Sequence, residues 1–139
     1  MEPPGLQEMI ERAKAALKNA YAPYSNFRVA AAVRTKSGRI YTGVNVENAS
    51  YGLTICAERV AVFKAVSEGD RDIEAVVVYT DTEEPTPPCG ACRQVIAEFN
   101  PDALIVMAGR SRTYTAKLSE LLPNPFTPTR LPKTPRSEV

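Results

Sequence analysis

The sequence contains no histidine and no tryptophan. Without imidazole, a common general base, nucleophile activator and metal ligand is missing, so acid–base chemistry near neutral pH falls to a carboxylate. Seventeen Lys and Arg stand against 16 Asp and Glu, a net charge of +1. With no tryptophan to stack on bases, that balance gives no general field for nucleic acid or an anionic membrane, and neither partner is expected. Long apolar runs are lacking too. None approaches the roughly 18 residues that suggest a membrane span, and the longest, around Ala75 to Tyr79 and Ala103 to Ala108, read as buried strands. Met1-Glu2-Pro3-Pro4-Gly5 lacks a basic segment followed by an apolar one, so no secretory signal is visible and a cytoplasmic location is expected.

What is present fits one domain. The 139 residues can bury one core, and we expect a single domain over 1–126. From Thr127 to Val139 the chain carries Pro128, Pro132 and Pro135 among Arg130, Lys133 and Arg136, a basic tail expected to be mobile at least from Thr134. Three cysteines is an odd number, and two of them sit as Cys89-Gly90-Ala91-Cys92. That suits metal or redox chemistry in a reducing compartment better than a disulfide framework.

Leu6, Met9, Ile10, Ala13, Leu17 and Ala20 recur at helical spacing and predict an amphipathic helix ended by Pro23. Phe27 to Thr35 and Ile40 to Val46, joined by Ser37-Gly38, read as a hairpin. Thr54 is a capping signal for a helix from about Cys56 to Glu68, with Val62, Phe63 and Val66 facing the core and Gly69 as its stop. Ala75 to Thr80 is a strand, a helix runs from Cys89 to the break at Asn100-Pro101, and Leu104 to Met107 is another strand. Tyr114 to Lys117 adds a short strand before a brief helix at Leu118 to Leu122. Strands alternating with helices predict an α/β layered fold.

Cys89 and Cys92, three apart at a helix start, can point to one side of the first turn. Cys56 stands at the other helix start, where the dipole favours a thiolate. Three sulfurs leave one position open in a tetrahedral zinc shell, as catalytic sites do, and no histidine or fourth cysteine exists to close it. Glu58 is the candidate proton carrier for a water in that position. Residues two apart on a helix face different ways, so Cys56 and Glu58 share a site only if Cys56 is the non-helical cap. Arg59, three from Cys56, can donate to its sulfur and offset the −1 charge of three thiolates on Zn²⁺. Taken singly, the residues have plainer readings: buried thiols or a redox pair, a helix-start carboxylate, a surface arginine.

Cys56-Ala57-Glu58 followed by Pro88-Cys89-Gly90-Ala91-Cys92 resembles the zinc nucleoside and nucleobase deaminases with cysteine as first ligand. Ala22-Pro23-Tyr24-Ser25, Phe27, Gly43 to Tyr51, Lys64 to Gly69, Arg93-Gln94-Val95 and Leu121-Leu122-Pro123 extend the likeness, to the small homotetrameric cytidine deaminases, over nearly the whole chain. The resemblance implies a three-layer α-β-α fold on a five-stranded mixed sheet, with one zinc per subunit on Cys56, Cys89 and Cys92. It implies that Glu58 shuttles protons as cytidine and 2'-deoxycytidine become uridine and 2'-deoxyuridine with release of ammonia, a step of pyrimidine salvage. Asn45 and Glu47, two apart on a predicted strand, would share a face and hold the ribose; their plainer reading is strand polarity. Ala57 and Phe27 join them, Phe27 near the pyrimidine. Ala49, Tyr51 and Phe126 match positions that neighbouring subunits contribute to the pocket, with core packing as the alternative for the aromatics. Ala30 stands where the family usually has glycine, and Val60 where it often has threonine.

Three other readings compete. A deaminase of a modified nucleoside such as blasticidin S shares the zinc motif, but Asn45-Val46-Glu47 argues against it. A polynucleotide-editing deaminase needs a basic groove with stacking aromatics. A structural zinc module needs a fourth protein ligand.

Overall fold

Three successive alanines stand between two valines in Val29–Thr35 (β1), and this strand is buried on both faces. A computed structural model describes residues 2–132 and shows why. Ile40–Val44 (β2), Ile73–Thr80 (β3), Leu104–Ala108 (β4) and Thr113–Lys117 (β5) complete a five-stranded sheet in the order β2-β1-β3-β4-β5. Only β3 and β4 run parallel; the other neighbours are antiparallel. That parallel pair needs a crossover, and Gly90–Phe99 (α3) supplies it.

The period-two pattern of the strands feeds two cores. Ala31, Val33, Val76, Val78, Ile105 and Met107 face Ala57–Ser67 (α2), α3 and the one-turn Leu118–Leu121 (α4). Ala30, Ala32, Ala75, Val77 and Val106 face Leu6–Ala16 (α1), whose Met9 and Ala13 are fully buried. The fold is therefore the three-layer α-β-α arrangement on a mixed sheet. At Ala30 a methyl fits beneath α1, so glycine is not needed there.

Gly43 decides how closely α2 lies on the edge strand. A Cβ there would stand 2.5 Å from the Ala61 amide nitrogen and 2.6 Å from the Ala57 carbonyl oxygen, distances that real atoms do not tolerate. With no side chain at 43, the first turn of α2 rests directly on β2.

Several boundaries differ from the sequence expectation. The first helix becomes a 3-10 turn at Leu17–Asn19, and Ala20 is already extended, because Tyr21 pairs with Val46 and withdraws the chain before Pro23. Thr54 is not the cap of α2. It ends a 3-10 turn, Tyr51–Leu53, and its hydroxyl accepts the Asn48 N–H at 3.1 Å, while Cys56 occupies the cap with extended backbone. Phe63 is 47% exposed and does not face the core: Ala57, Ala61, Val62 and Ala65 form the inward stripe, and Phe63 lies one residue round the helix from it. Pro128–Arg130 forms a 3-10 turn, whereas the stretch expected to be mobile from Thr134 lies outside the described residues.

After Gly69 (φ 83) the chain turns so that Asp70 reaches back to the hairpin. The hydroxyls of Thr35 (2.7 Å), Ser37 (2.8 Å) and Tyr41 (3.0 Å) converge on one of its oxygens and, with Thr35 the largest influence, hold its carboxyl below the usual range. A depressed folded-state pKa stabilises above the unfolded value, near 4, and loses that contribution as pH falls towards the folded value. Asp70→Asn is therefore expected to cost about 1–2 kcal/mol at pH 7 in urea unfolding. The gap from wild type should narrow below about pH 4; a gap independent of pH would rule out the charged form as its source.

Candidate active site

Two helix starts meet on one face of the sheet. Cys56 is the N-cap of α2 and Cys89 the N-cap of α3, both with extended backbone, and Cys92 lies in the first turn of α3. The Sγ atoms of Cys56 and Cys89 are 3.7 Å apart and those of Cys89 and Cys92 3.4 Å, with all three within 4.8 Å of one another. Tetrahedral sulfurs at the ordinary zinc–sulfur distance of about 2.3 Å stand about 3.8 Å apart, so the spacing fits one zinc ion per chain. The Cys92 N–H also donates to Cys89 Sγ at 3.5 Å, as a helix start does for an anion.

The charge balance points the same way. The neighbouring Cys92 thiol, then the Arg59 guanidinium and Cys89, bring Cys56 down to about 5 against the cost of its burial. Cys92 is held far above the ordinary thiol range by Cys56, by burial and by Glu58. One thiolate forms easily and its neighbour then resists, so a fully ionised trio needs a cation among the sulfurs. Arg59 Nη2 donates to Cys56 Sγ at 3.5 Å, as its spacing implied, and its Nε is buried without an acceptor among the described residues.

Glu58, in the first turn of α2, is only 4% exposed. Burial pushes its carboxyl up to about 7, with Cys56 adding to the rise, while its own backbone N–H, Cys92 and Arg59 oppose it. Next to it Ala57 is fully buried at the first helical position.

The loop before Cys89 is clasped from outside. Between β4 and β5, the Arg110 N–H donates to the Thr82 carbonyl (2.8 Å), Arg110 pairs with Asp81 (3.2 Å), and Ser111 and Arg112 reach Glu83 and Glu84. From α3, Arg93 donates to the Pro88 carbonyl and to the Leu121 carbonyl, both at 2.8 Å.

A second group gathers beside the hairpin. Asn45 and Glu47 lie beyond the end of β2, not within a strand to Val46; they flank Val46, which bridges Tyr21 and Ile55, and both are buried while Val46 is exposed. The shared side survives because the alternation continues through the bridge. Asn45 Oδ1 accepts the Val29 N–H (3.0 Å) and Nδ2 donates to the Phe27 carbonyl (2.8 Å). Glu47 accepts the Tyr24 and Ser25 N–H groups and the Ser25 hydroxyl, and Ser25 leads the donors that hold it below the usual carboxylate range. These hydrogen bonds tie the pair to the backbone of residues 24–29.

Phe27, Ala49, Tyr51 and Phe126 are exposed and do not pack into the core of the single chain. Tyr51, 74% exposed, meets the edge of Tyr24 with ring centroids 5.7 Å apart. Phe126, 60% exposed, is pinned through its backbone: Gln94 Nε2 donates to its carbonyl at 2.5 Å and Oε1 accepts its N–H at 3.4 Å. The sequence assigned no role to Ser25 or Gln94. Ser25 had a local signal, a hydroxyl two residues before the N–H it accepts; Gln94 had none, its partner being 32 residues away.

Residues 4–108 match the family model of the cytidine and deoxycytidylate deaminase zinc-binding region. The chain belongs to this family. It is 52% identical over 123 residues to the cytidine deaminase of Halalkalibacterium halodurans, covering 87% of this chain and 93% of that one. The crystal structure of cytidine deaminase from Burkholderia pseudomallei superposes with a TM-score of 0.83 at 46% identity, covering 86% of this chain and 98% of that one. The blasticidin-S deaminase of Bacillus cereus is 30% identical over 128 residues, 86% of this chain and 91% of that protein. In this deaminase-family chain the matched region holds all three cysteines, Glu58 and the Asn45–Glu47 pair, and ends before Phe126.

Purified protein is expected to carry about one zinc per chain by atomic absorption. Cys92→Ala, which removes the most buried sulfur, should leave almost none; full retention of zinc in that variant would exclude this cluster as the metal site.

Proposed function

We propose that the protein hydrolyses cytidine and 2'-deoxycytidine to uridine and 2'-deoxyuridine, releasing ammonia. The observation that carries this reading is a three-cysteine cluster that fits zinc, with no fourth cysteine in the sequence, beside a buried carboxyl raised to about 7. Similarity over most of the chain to cytidine deaminases supports the substrate.

Cys56, Cys89 and Cys92 hold the metal. When bound, zinc supplies the Lewis acidity that makes a water nucleophilic near neutral pH. Glu58 manages the protons: it takes one from the attacking water and delivers it to ring N3 as oxygen adds to C4, then takes the second from the hydroxyl at C4 and passes it to the amino group as the C4–N bond breaks, leaving the C4 carbonyl and ammonia. Its burial excludes bulk water from that exchange. Arg59 offsets the excess thiolate charge by donating to Cys56.

Asn45 and Glu47 hold the sugar, Phe27 packs near the pyrimidine, and Ala57 contributes to the pocket at the helix start. A carboxylate facing the sugar repels a 5'-phosphate, favouring nucleosides over nucleotides. Ala49, Tyr51 and Phe126 serve the pockets of neighbouring subunits in a homotetramer, a reading supported by their exposure in the single chain. Residues 1–126 form the catalytic domain and 127–139 a basic tail. Among the described residues no helix is long and apolar enough to cross a membrane. Cytoplasmic pyrimidine salvage is the setting that the reaction fits.

The test follows loss of the cytosine chromophore and release of ammonia from cytidine, deoxycytidine, CMP, cytosine and blasticidin S, using zinc-loaded protein. Turnover of both nucleosides is expected, and failure on both would overturn the proposal. Turnover of blasticidin S alone would instead select the modified-nucleoside reading that its 30%-identical relative represents.

In the same assay Glu58→Gln should keep its zinc and lose about 10²–10⁴-fold in kcat; an active variant would remove Glu58 from the mechanism. Arg59→Ala is expected to keep zinc and lose about 10- to 100-fold in activity, whereas wild-type rates would make its charge irrelevant.

A further inference from the structure

The loop from Tyr21 to β1 carries Phe27 and is held by Glu47, Asn45 and the Ser25 hydroxyl. Ser25 Oγ donates to Glu47 Oε2 and accepts the Phe27 N–H at 3.0 Å. Glu47 Oε1 takes the backbone N–H groups of Tyr24 (2.9 Å) and Ser25 (3.1 Å). On the far side of Phe27, Asn45 Nδ2 donates to its carbonyl at 2.8 Å. The residue between, Asn26, sits at φ 60, a left-handed conformation that asparagine adopts more readily than most non-glycine residues.

These contacts are not equivalent. Both backbone bonds to Oε1 fasten the loop to Glu47 but touch nothing of Phe27. Asn45 fixes the Phe27 carbonyl but not Glu47. Ser25 Oγ contacts the carboxylate and the Phe27 peptide at once, although the two lie 20 positions apart in the sequence. Removing it leaves the Tyr24, Ser25 and Asn45 bonds in place, so the loop keeps its course while two groups lose their common reference.

We propose that Ser25 is a positioning residue of the nucleoside pocket, its hydroxyl tying the Glu47 carboxylate to the Phe27 peptide so that sugar and pyrimidine meet groups at a fixed separation. This rests on the reading that Glu47 and Phe27 line the pocket. Pre-set spacing lowers the ordering cost of binding and leaves the chemistry at Glu58 untouched, so the effect belongs in KM.

The experiment compares Ser25→Ala, Ser25→Thr and Glu47→Gln with wild type in steady-state kinetics on cytidine and deoxycytidine, with zinc content and melting temperature measured on each. Ser25→Ala should raise KM about 5- to 30-fold with kcat within about 3-fold, the loss expected when the spacing of two pocket groups must be ordered on binding. Zinc content should stay at the wild-type value, while the melting temperature falls by a few degrees for the hydrogen bonds lost from the free protein. Ser25→Thr, which keeps the hydroxyl, should bring KM back to within about 3-fold of wild type. An unchanged KM in Ser25→Ala overturns the proposal, as does an equal fall in kcat accompanied by lost zinc, which would mark a structural role. The Glu47→Gln arm separates the two failures. A raised KM there with none in Ser25→Ala leaves the pocket reading intact and removes Ser25; an unchanged KM in Glu47→Gln removes the pocket reading and the proposal with it.

Discussion

Three thiols within 4.8 Å of one another are an incomplete charge arrangement, and the architecture around them follows from having to hold it together. Each sulfur that ionises makes the next harder to ionise, as the opposite displacements of Cys56 and Cys92 show. A cation resolves the conflict only if the sulfurs are already close, because loose side chains would separate. The fold removes that freedom by placing Cys56 and Cys89 at the caps of two helices packed on one face of a sheet. One helix is seated by the bare backbone of Gly43, and the loop into the other is clasped by Arg93 and the β4–β5 turn. The ion pairs of that clasp are exposed and individually weak. The backbone bond from Arg110 to Thr82 and the close approach at Gly109 fix the distance.

Much of this was legible in the sequence because it is local. Spacing alone required Cys56 to be a non-helical cap if Glu58 was to share its site, and the chain does that. The same locality misplaced Thr54, which has a capping residue's chemistry but is taken by Asn48 in a turn no spacing announces. Phe63 failed for another reason: in a helix rich in small residues, Ala57, Ala61 and Ala65 pack the sheet, and the large ring is left outside. The layered fold was readable from alternating strands and helices, the strand order was not, since it depends on pairings across the whole chain. Gln94 and Asp70 were invisible because their partners lie about 30 residues away.

Two buried carboxylates show how environment divides the labour. Glu47 is surrounded by donors: two backbone N–H groups and a hydroxyl, which favour its charged form and lower its pKa. Glu58 has thiols and apolar neighbours, and burial raises its pKa towards neutrality. The same side chain is thus a fixed negative charge in one place and a group able to gain and lose a proton in the other, the separation of acidities from which acid–base roles are assigned. The donors that hold Glu47 charged are also those that shape the Phe27 loop, so its electrostatics and the loop's geometry cannot be altered independently. At Glu58 the corresponding coupling is to the metal site, because the helix start that buries the carboxyl also carries Cys56. A substitution that loosened α2 from β2 at Gly43 would disturb Glu58 and Cys56 together, whereas one in the Tyr24–Phe27 loop would leave both in place.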